Sequence, residues 1–420
     1  MASFRKFGRA SALLPALAAA LIAGAAQAAE PIKLGFSMAL TGGVAVNGKQ
    51  CLLALQIWRD DVNAKGGLLG RPVELVYYDD QSNPSNVPGI YTKLIDVDKV
   101  DLVVGPYATN MVAPAMPIII QHNLVDVGIQ ALDVNSEFHY PRYFAVLPSG
   151  QNTRLAFAEG FFEIAKQQNP KPKTVAIVAA DAEFSKNAAD GAREAIKNSD
   201  FQTVYDKNYP PQTQDFAPIV RAIQALNPDM VFAAAYPPDS IGLIRAVNEV
   251  GFTPKMFGGA MIGLLATAPK ASLGPIINGI LIQETFMNAP SFNFPGLNAL
   301  MTKYQAAAPT LGVDPLGYAY APAAYSAAQI LAAGVEGTKS LDPAKIAEYI
   351  HGHPISTVIG EISFGANGEW AKSRVVYTQF QHVAGGNDVM QFKDSSKEPI
   401  LWPAAYKTGD LIYPYAEAKK

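Results

Sequence analysis

The sequence predicts an α/β protein made of two lobes with parallel-sheet cores. Strand-like runs alternate with helical runs along most of the chain, and this alternation is typical of parallel sheets covered by helices. The alternation restarts after residues 148–152, so a second lobe is expected to begin near Gln151. The chain has 420 residues, of which 49% are hydrophobic and 16% are charged, so it is long enough for two or three domains and should be globular.

The first series of elements begins with a strand over IKLGFSM, followed by a helix whose apolar residues recur at helical spacing around Trp58. Gly66 and Gly67 can adopt the left-handed backbone conformation that ends such a helix. A strand over VELVYY then stops at Asp79 and Asp80, and two further strands are predicted over DLVVGP and LVDVG. These elements open a repeated βαβ pattern.

The second series begins with a helix over RLAFAEGFFEIAKQ, capped by Asn152 or Thr153, and continues with strands over TVAIVAA, TVYDKNY, MVFAAAY, KMFGG and GILIQE. Two helices follow over LNALMTKYQAA and YAPAAYSAAQILAAGVEG, and then one that Asp342 caps, with Pro343 in its first turn. The segment ISTVIGEISFGANGEWAKSRVVYTQFQ predicts short strands joined by glycine-rich turns.

The N-terminal segment has the pattern of a signal peptide. A basic stretch precedes an apolar run over residues 10–23, and Ala26, Gln27 and Ala28 then form a small-x-small cleavage site. We expect residues 1–28 to be removed and the protein to be exported. The alternative is a membrane anchor, but the apolar run is shorter than the roughly 20 residues that a spanning helix needs.

Charge and cysteine content exclude several classes of protein. The formal net charge is −3 and the sequence pI is about 6.0, with no dense Lys/Arg run, so nucleic acid is not an expected partner. The single cysteine, Cys51, lies inside the first predicted helix, which excludes an intramolecular disulfide. No cysteine directly follows the apolar run to accept a lipid, so a free periplasmic protein is expected rather than a lipoprotein.

The segment GVAVNGKQ, residues 43–50, matches the spacing of a phosphate-binding loop between a strand and a helix. Nucleotide binding is disfavoured because Gln50 stands where a Mg²⁺-coordinating hydroxyl is needed, and because the compartment expected for this protein lacks ATP. Backbone N–H groups at a helix N-terminus nevertheless suit any anion, including a carboxylate.

Three segments of the first series, IKLGFSMALTGG, VNAKGGLLGRPVELVYYDD and VDLVVGPYATN, share the order and spacing of one protein family. In these segments the chain resembles the leucine/isoleucine/valine-binding family of periplasmic solute-binding proteins, and the resemblance covers about residues 31–390. It implies the type I periplasmic binding protein fold, in which the chain crosses three times between two Rossmann-like lobes. The crossings are expected near residues 145–150, 283–287 and 358–363.

The lobes implied by the resemblance are discontinuous in sequence. Lobe I is expected to comprise residues 29–147 and 286–357, and lobe II residues 148–285 and 358–395. Residues 396–420 form a C-terminal extension beyond the dependable part of the resemblance. A disulfide that members of the family often carry is absent, because Ser82 and Ala108 stand at the corresponding positions.

The resemblance also implies a ligand site on lobe I, where a helix starts after the strand DLVVGP. There the Thr109 hydroxyl and nearby backbone N–H groups would hold a ligand carboxylate, and Asn47 could bond a polar ring substituent. The residues expected on this side of the site are Asn47, Tyr107, Ala108, Thr109, Ile129, Gln130 and Ala131. The family usually has Ser or Thr at the position of Ala131, so one hydroxyl anchor is missing. The alternative for Thr109 is a helix cap without a ligand.

Aromatic residues are implied to close over the ligand. Phe184 and Tyr236 come from the second lobe, and a further tyrosine at 318 or 320, of which Tyr320 is our candidate, completes the set. The alternative for each is an ordinary core or loop aromatic residue.

One departure from the family concerns the charge of the ligand. Branched-chain amino-acid binders pair the ligand ammonium with a glutamate, and Ala260 stands at the position that we align with it. A buried ammonium without a carboxylate partner costs several kcal/mol. Unless Glu284 or Asp181 takes over, the ligand is expected to be a carboxylate with a flat or apolar body, such as an aromatic acid.

Catalysis and metal binding have little support in the sequence. His351 and His353 form an HxH pair at a helix end, but no Cys or further His lies at ligand spacing, so a solvated helix terminus is the simpler explanation. GxSxG and HExxH motifs are absent from the sequence. We therefore predict no enzymatic activity, no cofactor and no metal site.

The expected function is that of a monomeric periplasmic protein that captures a small carboxylate by hinge closure and delivers it to an inner-membrane ABC permease. A ligand-sensing receptor subunit of the same fold, not coupled to transport, is the main alternative. A secreted enzyme on the same fold is the other.

Overall fold

The computed structural model describes residues 1–2, 30–197 and 199–420. The predicted signal peptide, residues 1–28, therefore lies outside the described residues apart from its first two positions. Within the described part of the chain, no helix combines the length and the apolar character needed to cross a membrane.

The first lobe is built on a parallel sheet whose strands follow one another in the order β2-β1-β3 and then β4-β5. The two groups are joined where the Gly105 N–H donates to the Val127 carbonyl and where Tyr107 bridges to Ile129. The strands are β1 Ile32–Met38, β2 Val73–Asp79, β3 Leu102–Val103, β4 Asp126–Gly128 and β5 Tyr143–Ala145. The order is thus 2-1-3-4-5, that of a doubly wound α/β domain.

The helices of the first lobe come from two parts of the chain. The N-terminal part contributes α1 Ala45–Asn63, α2 Val87–Thr92, α3 Thr109–Gln121 and α4 Asn135–Phe138. Following the second lobe in sequence, α11 Leu297–Leu311, α12 Ala321–Thr338 and α13 Pro343–Gly352 return, and α11 and α12 pack against α1. The antiparallel hairpin of β11 Ile355–Thr357 and β12 Gly360–Ile362 packs on α12.

The second lobe contains a seven-stranded sheet in the order β14-β13-β10-β9-β8-β6-β7. Its strands are β6 Thr174–Ala180, β7 Gln202–Tyr209, β8 Met230–Ala235, β9 Met256–Met261, β10 Leu281–Glu284, β13 Val376–Gln379 and β14 Ile400–Trp402. The first five are parallel and repeat the 2-1-3-4-5 order of the first lobe, while β13 and β14 add an antiparallel edge. Its helices are α5 Thr153–Ala156, α6 Glu159–Lys166, α7 Glu183–Lys197, α8 Ala217–Gln224, α9 Pro237–Val250 and α10 Thr267–Leu273.

The predicted fold class is confirmed, and local chemistry explains several boundaries. Gly66 and Gly67 have φ values of 101° and 80° after α1, and the Asp342 side chain accepts the Ala344 N–H at the start of α13. The single helix predicted over RLAFAEGFFEIAKQ is wrong, because the helical backbone breaks between α5 and α6. The GxxxxGK segment is also not a phosphate loop, since Gly48 lies within α1 against the Ala39 carbonyl.

The chain passes between the two sheets after β5, after β10 and after β12. The third passage carries Arg374, whose backbone N–H donates to Pro148 O at 2.8 Å and whose guanidinium donates to Ile359 O. Arg374 therefore ties the third passage to the first. Because β12 still pairs with β11 beside the first lobe, the third passage follows Ile362.

Residues 396–420, expected as an extension, belong to the second lobe. Strand β14 forms the edge of its sheet, and Tyr415 is buried against Phe257 with a ring separation of 5.9 Å. The Gln379 side chain, from β13, donates to Ile412 O at 3.0 Å. The tail thus completes the packing of this lobe.

Candidate functional site

A cavity between the lobes lies where the carboxyl ends of the two parallel sheets face each other. In a 2-1-3-4-5 sheet, ligands bind at the carboxyl edge, where the loops after the first and third strands diverge. The interlobe cavity contains about 380 Å³ of space between protein atoms, part of it open to solvent. It is lined by Tyr107, Ala108, Thr109, Gln130, Leu147, Phe157, Phe184, Tyr236, Ile262, Leu265, Gln283, Thr285 and Tyr320.

The first-lobe wall of the cavity holds the backbone in an unusual conformation. Ala108, directly before α3, has φ 83° and ψ 148°, and Gln130, in the loop after β4, has φ 53°. Non-glycine residues in such conformations cost roughly 1–3 kcal/mol and cluster at binding sites. The strain at Ala108 sets the position from which α3 starts, with its N-terminal N–H groups at the cavity.

Thr109 is the first residue of α3 and is buried. Its hydroxyl oxygen accepts the Leu132 N–H at 3.0 Å, which joins the two first-lobe loops of the cavity. Because the oxygen acts as an acceptor there, the hydroxyl proton remains available to donate to a ligand. The side chain can therefore both fix the loop after β4 and hold an anion.

Two tyrosines and one asparagine form a hydrogen-bonded group beside this wall. The rings of Tyr107 and Tyr320 meet edge to face, 5.2 Å apart. The Asn47 amide nitrogen donates to the Tyr107 hydroxyl at 2.7 Å and to the Tyr320 hydroxyl at 3.1 Å. Burial raises the pKa of both tyrosines, so they stay neutral. Asn47 is not among the lining residues and reaches the cavity through these hydroxyls.

The second-lobe wall is aromatic. The ring of Phe184 lies 5.7 Å from that of Tyr236 and 5.9 Å from that of Phe157, both edge to face. Burial raises the pKa of Tyr236, and among the described residues its hydroxyl has no hydrogen-bond partner of ordinary geometry. A flat apolar ligand would pack well between such rings.

Gln283 of β10 was not predicted as a site residue. It is 1% exposed, lines the cavity, and neither atom of its amide group has a partner among the described residues. Leu147, Phe157, Ile262, Leu265 and Thr285 were also missed. The one available signal was the polar pair Gln283 and Glu284 at the end of an otherwise apolar strand.

Seven of the eleven predicted site residues line the cavity, and four do not. Asn47 lies behind the tyrosines, while Ile129 and Ala131 are buried on either side of Gln130. Ala260 is buried within β9, and Ile262, two residues further along, is the residue that faces the cavity. The binding role of each residue stays a prediction.

None of the described side chains that line the cavity is charged. The two acids considered as partners for a ligand ammonium lie elsewhere. Asp181 is at the surface, 3.3 Å from Lys186.

Glu284 points to the opposite face of the sheet from Gln283, into a second cavity of about 470 Å³, where it faces Lys270 at 3.6 Å. Lys270 also contacts Glu398 at 2.7 Å, so the three side chains form a buried charged cluster.

Hydrogen bonds across the cleft indicate a closed arrangement of the lobes. The Tyr320 hydroxyl donates to Ile262 O at 3.3 Å, and the Asn187 amide donates to Leu132 O at 3.1 Å. The Thr267 hydroxyl donates to Asp314 at 2.8 Å. Each bond joins a residue of one lobe to a residue of the other.

Removing the Tyr320 hydroxyl should shift the ligand-free protein towards an open form. Tyr320→Phe deletes an interlobe hydrogen bond, which is worth about 0.5–1.5 kcal/mol. We expect the closed form to be the one that binds ligand, and therefore expect the Kd to rise by up to about tenfold. Small-angle X-ray scattering should show a larger radius of gyration, and calorimetry should show the weaker binding.

Tyr325→Phe is the matched control, since Tyr325 lies in α12, which begins directly after Tyr320, and its hydroxyl donates to Asp61 within the first lobe at 3.0 Å. Equal changes in the two variants would contradict a specific role of Tyr320 in closure.

The histidine pair has structural partners. His351 Nε2 contacts Pro141 O at 2.9 Å and its ring packs on Phe144, while His353 stacks on Tyr349 with ring centres 4.1 Å apart. Among residues 1–2, 30–197 and 199–420, no three His, Cys, Asp or Glu side chains form a group able to hold a metal ion.

Comparison with known proteins adds family information. The sequence model described as "Periplasmic binding protein" matches residues 31–387. The Leu/Ile/Val-binding protein of Escherichia coli K12 is 26% identical over 345 residues, covering 81% of this chain and 88% of that protein. Two crystal structures share the fold at 20% identity. The leucine-binding protein of Thermotoga maritima has a TM-score of 0.70, and the superposition covers 85% of this chain and 96% of the Thermotoga chain. An ABC-transporter solute-binding protein of R. palustris in complex with 4-hydroxybenzoate has a TM-score of 0.73, and the superposition covers 91% of this chain and 98% of the R. palustris chain.

Proposed function

The chain belongs to the periplasmic binding protein family, and from that premise we propose that it captures a small, flat carboxylate between its lobes and delivers it to an inner-membrane ABC permease. Proteins of this family are solute-binding proteins and not enzymes. The observation that carries the proposed ligand class is a cavity with a helix N-terminus at one wall, aromatic rings at the other and no charged side chain among its described lining residues.

The ligand carboxylate is proposed to bind at the N-terminus of α3. Helix N-termini favour anions because their first N–H groups lack intrahelical partners and carry the positive end of the helix dipole. The Thr109 hydroxyl, already oriented by Leu132, adds a donor beside them. With Tyr107 and Tyr320 neutral, the wall supports a charge-assisted hydrogen-bond site without a Lys or Arg.

An α-ammonium group has no carboxylate partner in this cavity. Leucine-type amino acids would have to bury that charge against neutral groups, which costs several kcal/mol. The relatives include proteins described as binding leucine and one solved with 4-hydroxybenzoate, so family membership alone permits either ligand. The uncharged lining favours the aromatic or other non-amino carboxylate.

Hinge closure follows from the distribution of contacts. The anion-binding wall lies on the first lobe and the Phe184–Tyr236 wall on the second, so only the closed form lets a ligand contact both. A ligand that binds the closed form more tightly shifts the equilibrium towards it. The permease is then proposed to distinguish the closed, loaded form from the open one.

A thermal-shift screen of the mature protein tests the ligand class. Benzoate-type acids should raise the Tm, with about 2.7 kcal/mol of added stability at 100 times the Kd, whereas leucine and valine should not. Stabilisation by leucine alone would refute the proposed class.

Thr109→Val should weaken binding of the stabilising acid by about 10- to 100-fold, because a hydrogen bond to a charged group is worth about 1.5–3 kcal/mol. Isothermal titration calorimetry measures this directly. Thr109→Ser keeps the hydroxyl and should retain most of the affinity. Unchanged binding in Thr109→Val would show that this threonine only supports the loop at Leu132.

A further inference from the structure

Gln283 differs from the other buried polar residues around the interlobe cavity. It lies on β10, where alternate residues face opposite sides of the sheet, so Gln283 faces the cavity while Glu284 faces the charged cluster. At 1% exposure, its amide nitrogen and oxygen both lack partners among the described residues. A primary amide can make up to four hydrogen bonds, and this one makes none.

Leaving a buried amide unpaired is costly, because each donor or acceptor without a partner has lost its hydration and gained no hydrogen bond in return. A glutamine that merely filled space would be replaced at a gain by an apolar residue of the same size. The neighbouring strand shows what a structural glutamine looks like: Gln379 of β13 is equally buried, and its amide donates to Gly279 O and Ile412 O at 3.1 and 3.0 Å. Gln283 has no such role in the fold.

The Tyr236 hydroxyl is the second group of this wall that has no hydrogen-bond partner of ordinary geometry among the described residues. Like Gln283, it belongs to the second lobe, whereas the carboxylate position at Thr109 belongs to the first. A ligand held by its carboxylate at Thr109 therefore meets unpaired polar groups across the cleft. The amide offers both a donor and an acceptor, and a hydroxyl group of the ligand complements both at once.

We propose that Gln283 makes the site selective for a planar carboxylate that carries a hydroxyl group on its ring or body, and against the analogue that lacks it. This inference rests on the proposed function and specifies the ligand within that class. The discrimination arises because an unsubstituted ligand would close the lobes over an amide that still has no partner. Sites that present such a group reject the analogue without the hydroxyl far more strongly than apolar pockets reject a missing methylene.

The test compares 4-hydroxybenzoate with benzoate by isothermal titration calorimetry on the mature wild-type protein and on Gln283→Met. The wild type should bind 4-hydroxybenzoate about 10- to 100-fold more tightly than benzoate. Gln283→Met should weaken the binding of 4-hydroxybenzoate and strengthen that of benzoate, so the ratio of the two dissociation constants should come close to one. Because the Gln283 side chain makes no hydrogen bond to the residues that the structure describes, the ligand-free variant should keep or exceed the wild-type Tm.

Gln379→Met is the matched control. It removes a buried glutamine of the adjacent strand that does bond the protein, so it should lower the Tm while leaving the ratio of the two dissociation constants unchanged. A fall in Tm for Gln283→Met as large as that for Gln379→Met would show a structural role and overturn the proposal.

The outcomes separate the two levels of inference. Equal binding of both acids by the wild type, or an unchanged ratio in Gln283→Met, overturns the role of Gln283 and leaves the carboxylate-binding function standing. Binding of leucine with no binding of either aromatic acid overturns the proposed function and this inference together.

Discussion

Lys270→Met should lower the free energy of unfolding at pH 8 by about 3–5 kcal/mol, because it leaves two buried carboxyl groups without their cation. Lys270 lies 2.7 Å from Glu398 and 3.6 Å from Glu284, and the three side chains are at most 10% exposed. Methionine preserves the packing against the rings of Phe380 and Phe392, so the loss reports on charge rather than volume. Urea unfolding monitored by circular dichroism measures the difference.

The destabilisation by Lys270→Met should increase as the pH rises. Burial and then the charge of Glu398 raise the pKa of Glu284, and Lys270 opposes that rise. The contribution of a carboxyl group with a raised folded-state pKa is fully present below the ordinary pKa of that group and is lost as the pH rises through the folded-state pKa. Lys270→Met removes the cation that lowers the pKa of Glu284, so the destabilisation by this substitution should be larger at pH 8 than at pH 5.

A triple variant provides the control for Lys270→Met. Adding Glu284→Gln and Glu398→Gln removes the uncompensated charges and should recover most of the lost stability, since uncharged groups of similar size replace a buried ion cluster at little net cost. A Lys270→Met protein within about 1 kcal/mol of the wild type at pH 8 would contradict the proposed importance of the cluster.

Asp126→Asn should stabilise the protein at pH 8 by about 4 kcal/mol and make little difference near pH 4. Asp126 of β4 is 0% exposed, and neither carboxyl oxygen has a hydrogen-bond partner of ordinary geometry among the described residues. Burial raises its pKa from 3.8 to about 7. The wild type therefore loses stability as the pH rises from about 4 through 7, whereas the uncharged, nearly isosteric asparagine does not titrate.

Denaturant unfolding at pH 4, 6 and 8 checks the Asp126 prediction. The variant should show a flatter dependence of unfolding free energy on pH than the wild type. Asp200→Asn, at a position whose side chain is 89% exposed, serves as the control and should follow the wild-type curve. Parallel curves for Asp126→Asn and the wild type would show that Asp126 has no raised pKa.

Most of the fold could be predicted from the sequence because strand and helix periods differ locally. IKLGFSM and TVAIVAA are apolar runs between turns, and they form β1 and β6 over the predicted residues. The path of the tail could not be predicted in this way. The short β14 is recognisable only once β13 offers an edge to pair with, which is a long-range condition.

The site was predictable where it depends on strand ends and unpredictable where it depends on the approach of the lobes. Thr109 and Tyr236 follow strands β3 and β8, so their places at the carboxyl edges could be inferred. Gln283 lies within a strand, and whether it faces the cavity depends on how the second sheet meets the first. Ala260 was predicted to line the cavity, but Ile262 lines it instead, because β9 continues to Met261 before the chain turns into the cleft.

The split of both lobes along the chain governs when they can fold during synthesis. By residue 296 every parallel strand of both sheets has been made. Yet the first lobe still lacks α11–α13, and the second lacks β13, β14 and the tail that packs on Phe257. Domains usually fold one after another as they leave the ribosome. Neither lobe has all of its elements until the last part of the chain has been made, so we expect both cores to complete their packing late in synthesis.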